Sequence, residues 1–600
     1  MIRIHPIAIF LLVAALPIAG IFANPAGLLP GSELGDVYKH AWSYWHTPEY
    51  ISGWPDSLAL NAPTGGSLWD VMLVPSLLLW PVTAVAGPVV AANLFVWLSL
   101  AGIGVATWLL CRAVVGSELG AIVGGVSAQA APYLLGYPLT SGVHERLAVW
   151  LFPLVALAMV RSVRGEGGWR WPATAALGVV VAVPGCGVYG LFMGVMVALF
   201  TPILVGRDLS RLRKIAPLLA TLLVTLGALL FITGGVSSDS ASLSPQPGRL
   251  TFATGGSLGS MDSAAFAELL NPVVAASMEA EESGDLLLRI SYLGLLALLG
   301  SWIGALGVRG ERRRLVVGIV ALASLFGLLA LGPEIRSGTV RLPNLPYNLL
   351  SAVVPFYGST PVPFQQVALF GPLAAVGVAA LFSRLERGVK SPVGLAFALC
   401  LAFLGERALV SPVGGVVEVA PATVPSIYDH LPEGSGPIVE LPRIYRGRDL
   451  SHGSLFLSQT SHGRGLPISV HSGVTEWDSY IPVREGVSED WARTARCLAA
   501  GGFEAVVVHK GWFEGEDMAN RAVEGLRRAL GTPLAEEGGR LLFALSPLGV
   551  PLAEDRFVTP FVPEPPTPMM EGLSPSFVPD EIAPIGSGRE TSRCPVTVRG

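Results

Sequence analysis

Trp171–Gly206 reads WPATAALGVVVAVPGCGVYGLFMGVMVALFTPILVG and is uncharged from end to end. A helix rises about 1.5 Å per residue and a bilayer's hydrocarbon core is about 30 Å thick. The run is therefore long enough for a tight hairpin that crosses twice, and Pro184-Gly185-Cys186-Gly187 near its middle supplies the turn. Cations bracket it, with Arg161, Arg164 and Arg170 before it and Arg207, Arg211, Arg213 and Lys214 after it. Short loops carrying such clusters face the cytoplasm, so the run leaves and returns.

The same alternation holds on either side. Arg112 precedes the hairpin, and Arg309/Arg312/Arg313/Arg314 and Arg384/Arg387/Lys390 follow it. Placing every cluster inside demands two crossings between successive clusters. Ile215–Thr233 and Ile290–Val308 read as single spans around a polar outer loop. Leu315–Gly332 and Val362–Ser383 make the next pair, and Ser391–Val410 leads out for the last time. Trp69–Gly87 is apolar enough to cross, but a crossing there would invert every later cluster. Pro75, Pro81, Trp69 and Trp80 instead make it a helix in the outer interface. The first run, Pro6–Ala23 behind Arg3 and His5, has the form of a signal peptide ending at Ile21-Phe22-Ala23 or of a retained anchor. Its length favours the anchor. The count is about eleven spans, with the N-terminus cytoplasmic and the C-terminus outside.

The bulk composition agrees. Of 600 residues 51% are hydrophobic and 14% charged, against about 25% charged in soluble domains. A net charge of −5 with no Lys/Arg block points away from nucleic acid. From about Ser411 charges return. Short β-like runs at Pro437–Leu441, Ala505–His509 and Arg540–Leu545 alternate with helical patches at Asp490–Ala500 and Asn520–Leu530. The expected organisation is a transmembrane domain over 1–411 with its first outer loop at 24–87, then an extracytoplasmic α/β domain over 412–555. A Pro-rich tail without fixed structure covers 556–600. Among five cysteines, Cys111, Cys186 and Cys400 lie in apolar runs, and Cys497 and Cys594 can pair if their compartment oxidises. Few lysines against many arginines fits a GC-rich bacterial coding sequence, and the expected location is a bacterial inner membrane.

Two outer loops hold the ionisable groups. In the first, Gly31-Ser-Glu-Leu-Gly-Asp36-Val-Tyr-Lys39-His40-Ala-Trp42-Ser-Tyr-Trp45, residues Asp36, Lys39 and His40 share one helical face. A carboxylate there can take a proton from an attacking hydroxyl while the cations stabilise a departing phosphate. Equally, Asp36 can be a helix cap within an interfacial aromatic belt. In the second, Tyr137-Pro-Leu-Thr-Ser-Gly-Val-His144-Glu145-Arg146 puts three ionisable groups at the membrane edge. They are phosphate or sugar contacts, or snorkelling side chains. There is no phosphate loop of an ATP-driven pump, no HExxH metal motif, and little mid-span carboxylate for an ion-coupled transporter. His452, His462 and His471 could be drawn into a Ser-His-Asp set, but no GxSxG elbow accompanies them.

The order of these features resembles the polytopic GT-C superfamily of glycosyltransferases, close to bacterial YfhO-like and dolichyl-phosphate-mannose-dependent mannosyltransferase-like membrane proteins. The features are Gly35-Asp36 and the Trp/Tyr-rich helix, the Pro-containing interface segment, and His144 before a Pro-bearing span (Pro153). Leu342-Pro-Asn-Leu-Pro346, Val354-Pro-Phe356, Ile438-Val-Glu-Leu-Pro442 and Phe503–His509 extend it. The resemblance implies transfer of a sugar from a polyprenyl-phosphate donor to a glycan, lipid or protein acceptor on the outer face. Asp36 matches the acidic residue that activates the acceptor, and His144 the second-loop histidine. Lys39, His40, Glu145 and Arg146 are the further substrate or phosphate contacts. Many relatives carry paired first-loop acids, so a divalent cation is left open as cofactor. Many carry Arg where Gln365-Gln366 stands, which makes Gln365 the candidate there and changes how the donor phosphate is held. The rivals are a non-catalytic envelope-assembly scaffold and a transporter or flippase.

Overall fold

The computed structural model describes residues 5–33, 35–53, 72–185, 187–206, 208–220, 276–279, 287–290, 292–337, 340–354, 357, 363–410, 414–442, 453–467, 481–484, 486–513 and 515–545. Most of the expected span Ile215–Thr233, with Trp69, Cys186, His452, His471, Cys594 and the Pro-rich tail, lies outside them. The chain divides into two compact units. One joins Met1–Pro55, Ser67–Val424 and Leu450–Thr460; the other joins Asp56–Gly66, Pro425–Asp449 and Ser461–Gly600.

The first unit is helical. It contains α1 (Pro6–Ala15), strand β1 (Leu28–Pro30), α2 (Val37–Gly53), α3 (Pro88–Val115), α4 (Glu118–Gln129), α5 (Leu151–Arg164), α6 (Arg170–Gly185) and α7 (Gly187–Val205). After these come α8 (Leu295–Gly307), α9 (Arg312–Leu329), α10 (Val367–Leu385), α11 (Pro392–Val410) and β2 (Val419–Pro421). Among the described residues five stretches are long and apolar enough to cross a membrane: Pro88–Val115, His144–Arg164, Val188–Val205, Pro363–Leu385 and Pro392–Val410. Glu118–Gln129 with Pro132–Thr140, bent by 41°, makes a sixth if the bent pair is one span rather than a re-entrant loop. The expected hairpin is described as α6 and α7, with Cys186 between them outside the described residues.

Two apolar runs form shorter helices than their hydropathy predicts. The first helix stops at Ala15, because the chain turns at Pro17, whose carbonyl accepts from Val417 N at 2.8 Å. The run Ile290–Val308 becomes helical only from Leu295, after a strand at Leu287–Ile290 and a left-handed Gly294 (φ 87°). Within Trp69–Gly87, the described residues form two helices of one to two turns, Leu73–Leu78 and Trp80–Ala86, each too short to cross.

Burial sorts the helices. The span containing α10 is 89% buried in its most apolar window, whereas that of α11 is 22% buried and leaves Val393, Phe397, Leu401 and Leu409 uncovered. A helix that is apolar all round and half uncovered suits lipid. The central α10 packs closely on α8 because a Cβ at Gly304 would fall 1.9 Å from the Gly377 carbonyl, so the backbones nearly touch.

The charge clusters gather at one end of this unit. Arg164 donates to the Ala113 carbonyl, Arg312 to Val115, Lys214 to Val163 and Arg314 to Ile203, while Ser117 donates to Glu386. At the other end of α3, Asn93 donates to the carbonyls of Pro25 and Leu28. Twenty-eight helical residues, about 42 Å, run between the two ends.

The boundary expected near residue 412 falls at Pro425, because β2 pairs antiparallel with β1 (Leu28↔Pro421, Pro30↔Val419) and so belongs to the helical unit. The second unit holds a four-stranded sheet, β3 (Ile438–Leu441), β4 (Ala505–His509), β6 (Arg540–Ala544) and β5 (Ala535–Glu537) in that order. The β3–β4 pair is parallel and the others antiparallel. Helices α13 (Trp491–Ala500) and α14 (Glu516–Leu530) place Trp491, Leu498, Val523 and Leu526 in its core. Inside it, Tyr428 donates to Glu440, which also pairs with His509, and the Tyr428 ring stacks on His462. Burial pulls the His462 imidazole down to about 4, with Arg464 nearby acting the same way against Glu440. Cys497 is disulfide-bonded, and Cys111 and Cys400 are free.

Candidate functional site

The first outer loop enters α2 through Asp36, whose carbonyl accepts the first helical bond from His40 N at 3.1 Å. Its carboxylate faces Lys39 Nζ one turn on, at 3.4 Å, and its side chain keeps 30% of its surface exposed. Capping position and open carboxylate therefore coexist in one residue. The loop is zipped to the second outer loop by its backbone: Ser32 N donates to the Thr140 carbonyl and Asp36 N to the Ser141 carbonyl, at 2.8 and 3.0 Å. Glycine permits that approach. A Cβ at Gly35 would fall 2.3 Å from the Ser141 carbonyl oxygen, and Gly142 turns at φ 69° against Val37 N.

Past Gly142 the chain makes the 3-10 turn His144–Trp150, which carries the second set of ionisable groups. Glu145 lies 2.7 Å from His40 Nε2 and 3.5 Å from Arg146 Nε. The other His40 nitrogen meets Met72 Sδ at 3.0 Å. His144 is buried and its Nε2–H donates to the Pro30 carbonyl at 2.9 Å, with its ring 5.7 Å from that of His40. The Arg146 guanidinium sits 5.7 Å above the Tyr189 ring, and the Tyr189 hydroxyl donates to the Arg146 carbonyl at 2.9 Å.

Six of the seven sequence candidates thus meet, drawn from segments about a hundred residues apart. Their roles separate by environment. Glu145 is enclosed between two basic groups and serves as their anchor. Asp36 is the more open carboxylate of the two, with 30% of its side-chain surface exposed against 19% for Glu145. Lys39 lies beside Asp36, and His40 and Arg146 lie beside Glu145.

The seventh, Gln365, is wholly buried in the turn Pro363–Gln366 that opens the α10 span, and among the described residues its amide atoms have no hydrogen-bond partner. Its neighbour Phe364 packs edge-on against Tyr137 of the second outer loop, with centroids 5.4 Å apart. Gln366 is engaged elsewhere, accepting from the Tyr357 hydroxyl at 2.6 Å. Among the described residues no group of three metal-ligating side chains is assembled.

Sequence reasoning missed the strap over α2. Trp42 Nε1 donates to Gln459 Oε1 at 2.6 Å, and the Trp42 ring lies between His46 (4.2 Å) and Phe456 (4.9 Å). Gln459 and Phe456 lie on α12 (Gly453–His462), far along the chain but inside the first unit up to Thr460. The signal available was Trp42 itself, since a buried indole N–H needs an acceptor.

The chain has the fold of GT-C membrane glycosyltransferases. It is similar to arabinofuranosyltransferase AftD from mycobacteria, at 14% identity and a TM-score of 0.54, over 90% of this chain and 41% of that one. It is also similar to the oligosaccharyltransferase of Archaeoglobus fulgidus, at 12% identity and a TM-score of 0.50, over 86% of this chain and 72% of that one. ArnT from Cupriavidus metallidurans, solved with undecaprenyl phosphate, aligns at 14% identity and a TM-score of 0.49, over 90% and 97%. At these identities the likeness is one of fold. No protein-family model and no curated protein matches the chain.

Proposed function

We propose that the chain is a membrane glycosyltransferase that moves a sugar from a polyprenyl-phosphate donor to an envelope glycan, lipid or protein acceptor, with Asp36 as the base. The observation that carries this is the convergence of Asp36, Lys39, His40, Glu145 and Arg146 at the end of the bundle remote from the arginine clusters. A lipid-phosphate donor has to be met at the membrane edge, where this cluster lies. Transfer passes through an oxocarbenium-like state with negative charge growing on the departing phosphate. One open carboxylate and adjacent cations match both needs. Lys39, His40 and Arg146 take the phosphate, His144 shapes the loop, and Gln365 is a further polar contact. The donor is already activated, so no nucleotide is required, and a divalent cation remains a variable to test.

The arginine end faces the cytoplasm by charge bias, which puts the cluster on the outer face of a bacterial cell membrane. The Cys497 disulfide supports an oxidising compartment for the second unit, which then holds the acceptor. The test is transfer by the purified protein in nanodiscs with a panel of radiolabelled polyprenyl-phosphate sugars. Wild type turns over one donor and Asp36→Asn does not, at equal expression. A mutant as active as wild type sinks the assignment of the base, and a well-folded wild type idle on every donor favours an assembly scaffold.

A further inference from the structure

At the end of the helical unit opposite the proposed reaction site, a cavity of about 460 Å³ opens between the ends of α3, α8, α9 and α10. Arg309, Arg312, Arg384 and Arg387 line it, and Val114, Val115, Val308, Val316 and Ala380 form an apolar wall beside them. Among the described residues none of the four arginines pairs with a carboxylate. The neighbouring acids with known partners are held elsewhere: Glu118 by Arg112 at 3.1 Å, and Glu386 by the Ser117 hydroxyl at 3.1 Å. Glu311 opens α9 beside them. Arg312 donates to the Val115 carbonyl and Arg387 to the Ser383 carbonyl, so two guanidiniums are fixed in place by helix-end carbonyls.

Charge bias alone accounts for arginines on this side of a membrane, spread along the rim and solvated. All four keep much of their side chains exposed, yet they converge on one cavity, which charge bias by itself does not require. Like charges lining one cavity repel, and an anion between them relieves the repulsion while forming charge-assisted hydrogen bonds. The apolar wall adds a second requirement, because a free inorganic anion gains nothing from valines. A phosphate group carried on an acyl glycerol uses both surfaces, and basic recesses between spans are where such headgroups lodge.

We propose that this cavity is a binding site for a phosphate-bearing ligand, the headgroup of an anionic phospholipid of the inner leaflet. It is separate from the proposed transfer site and stands or falls independently of it. The test uses the full chain reconstituted in phosphatidylcholine nanodiscs with and without phosphatidylglycerol, and native mass spectrometry of the retained lipid. Wild type retains phosphatidylglycerol preferentially. Arg309→Gln/Arg384→Gln weakens retention about 30-fold, at roughly one decimal order or less per arginine. Arg313→Gln/Lys390→Gln removes equal charge from the same face outside the cavity and leaves retention unchanged. A parallel titration with inorganic phosphate separates the sources. Lipid retained against excess phosphate identifies the headgroup, and displacement that also depends on Arg309 and Arg384 supports the same phosphate chemistry from a soluble source. No preference in wild type for either probe, or an equal loss in the control pair, overturns the proposal.

Discussion

Gly35→Ala tests whether the reaction loop is held by direct backbone contact. The new methyl group would lie 2.3 Å from the Ser141 carbonyl oxygen and 2.7 Å from its carbon, where 3.0 Å is the closest ordinary approach. Both sides of the clash are backbone, so no side chain can swing aside. The first and second outer loops must part by about 0.7 Å or more, breaking the 3.0 Å bond from Asp36 N to the Ser141 carbonyl. Asp36 is the next residue and moves with it, while Glu145 and Arg146 stay on the other loop. A displacement near 1 Å of a positioned catalytic group costs on the order of 100-fold in rate. Overpacking itself costs about 1–3 kcal/mol, tolerable in a large membrane unit. The assay is single-turnover transfer from the labelled donor, run beside thermal unfolding in the same detergent. Turnover should fall about 100-fold with the unfolding midpoint lowered only modestly. Wild-type turnover in Gly35→Ala would refute the idea that the zipped loops set the geometry of Asp36.

Glu145→Gln removes the charge between His40 and Arg146, and should cost about 2–3 kcal/mol of stability and at least about tenfold in transfer. Unaltered unfolding and turnover would show that the pair is ornamental. Gln459→Leu leaves the Trp42 indole N–H buried without its acceptor. The expected loss is about 1–3 kcal/mol, read by tryptophan fluorescence during melting, and an unchanged melt removes the strap from the account. His462 gives a pH dependence. Its folded-state pKa of about 4 lies below the ordinary 6.5, so its contribution is complete above pH 6.5 and fades as pH falls toward 4. That loss is on the order of 3 kcal/mol in the second unit, and His462→Gln should flatten the part of the melt profile between those limits. An identical slope in the variant assigns the effect to other groups.

What the sequence could disclose depended on whether the information was local. The helices Arg170–Gly185 and Gly187–Val205 were legible as one uncharged run, while the turn expected over Pro184–Gly187 includes Cys186, which lies outside the described residues. Asp36, Lys39 and His40 were legible as one face because helical spacing fixes them as neighbours. Hydropathy failed where backbone geometry overrides composition. Leu16 and Ile18 are as apolar as the helix before them, yet Pro17 lends its carbonyl to Val417 and the helix ends. Long-range pairings left no local trace. Nothing near His40 announces Glu145, and nothing near Trp42 announces Gln459, 417 residues later. The domain boundary slipped for the same reason, since Val419–Pro421 resembles the start of a new domain until its partner strand is seen.

That small ladder between Leu28–Pro30 and Val419–Pro421 also sets an order of assembly. Tyr38, the residue before Lys39, donates its hydroxyl to the Pro421 carbonyl, and Gly31 N donates to the Glu418 carbonyl. Both acceptors are translated after α11, the last described span. A nascent chain emerging from the ribosome can therefore insert every described span while its loop bearing Asp36 still lacks the strand that seats it. Maturation of the loop waits on synthesis of residue 421, so a product truncated just after α11 should embed in the bilayer yet leave lipid-linked sugar untouched.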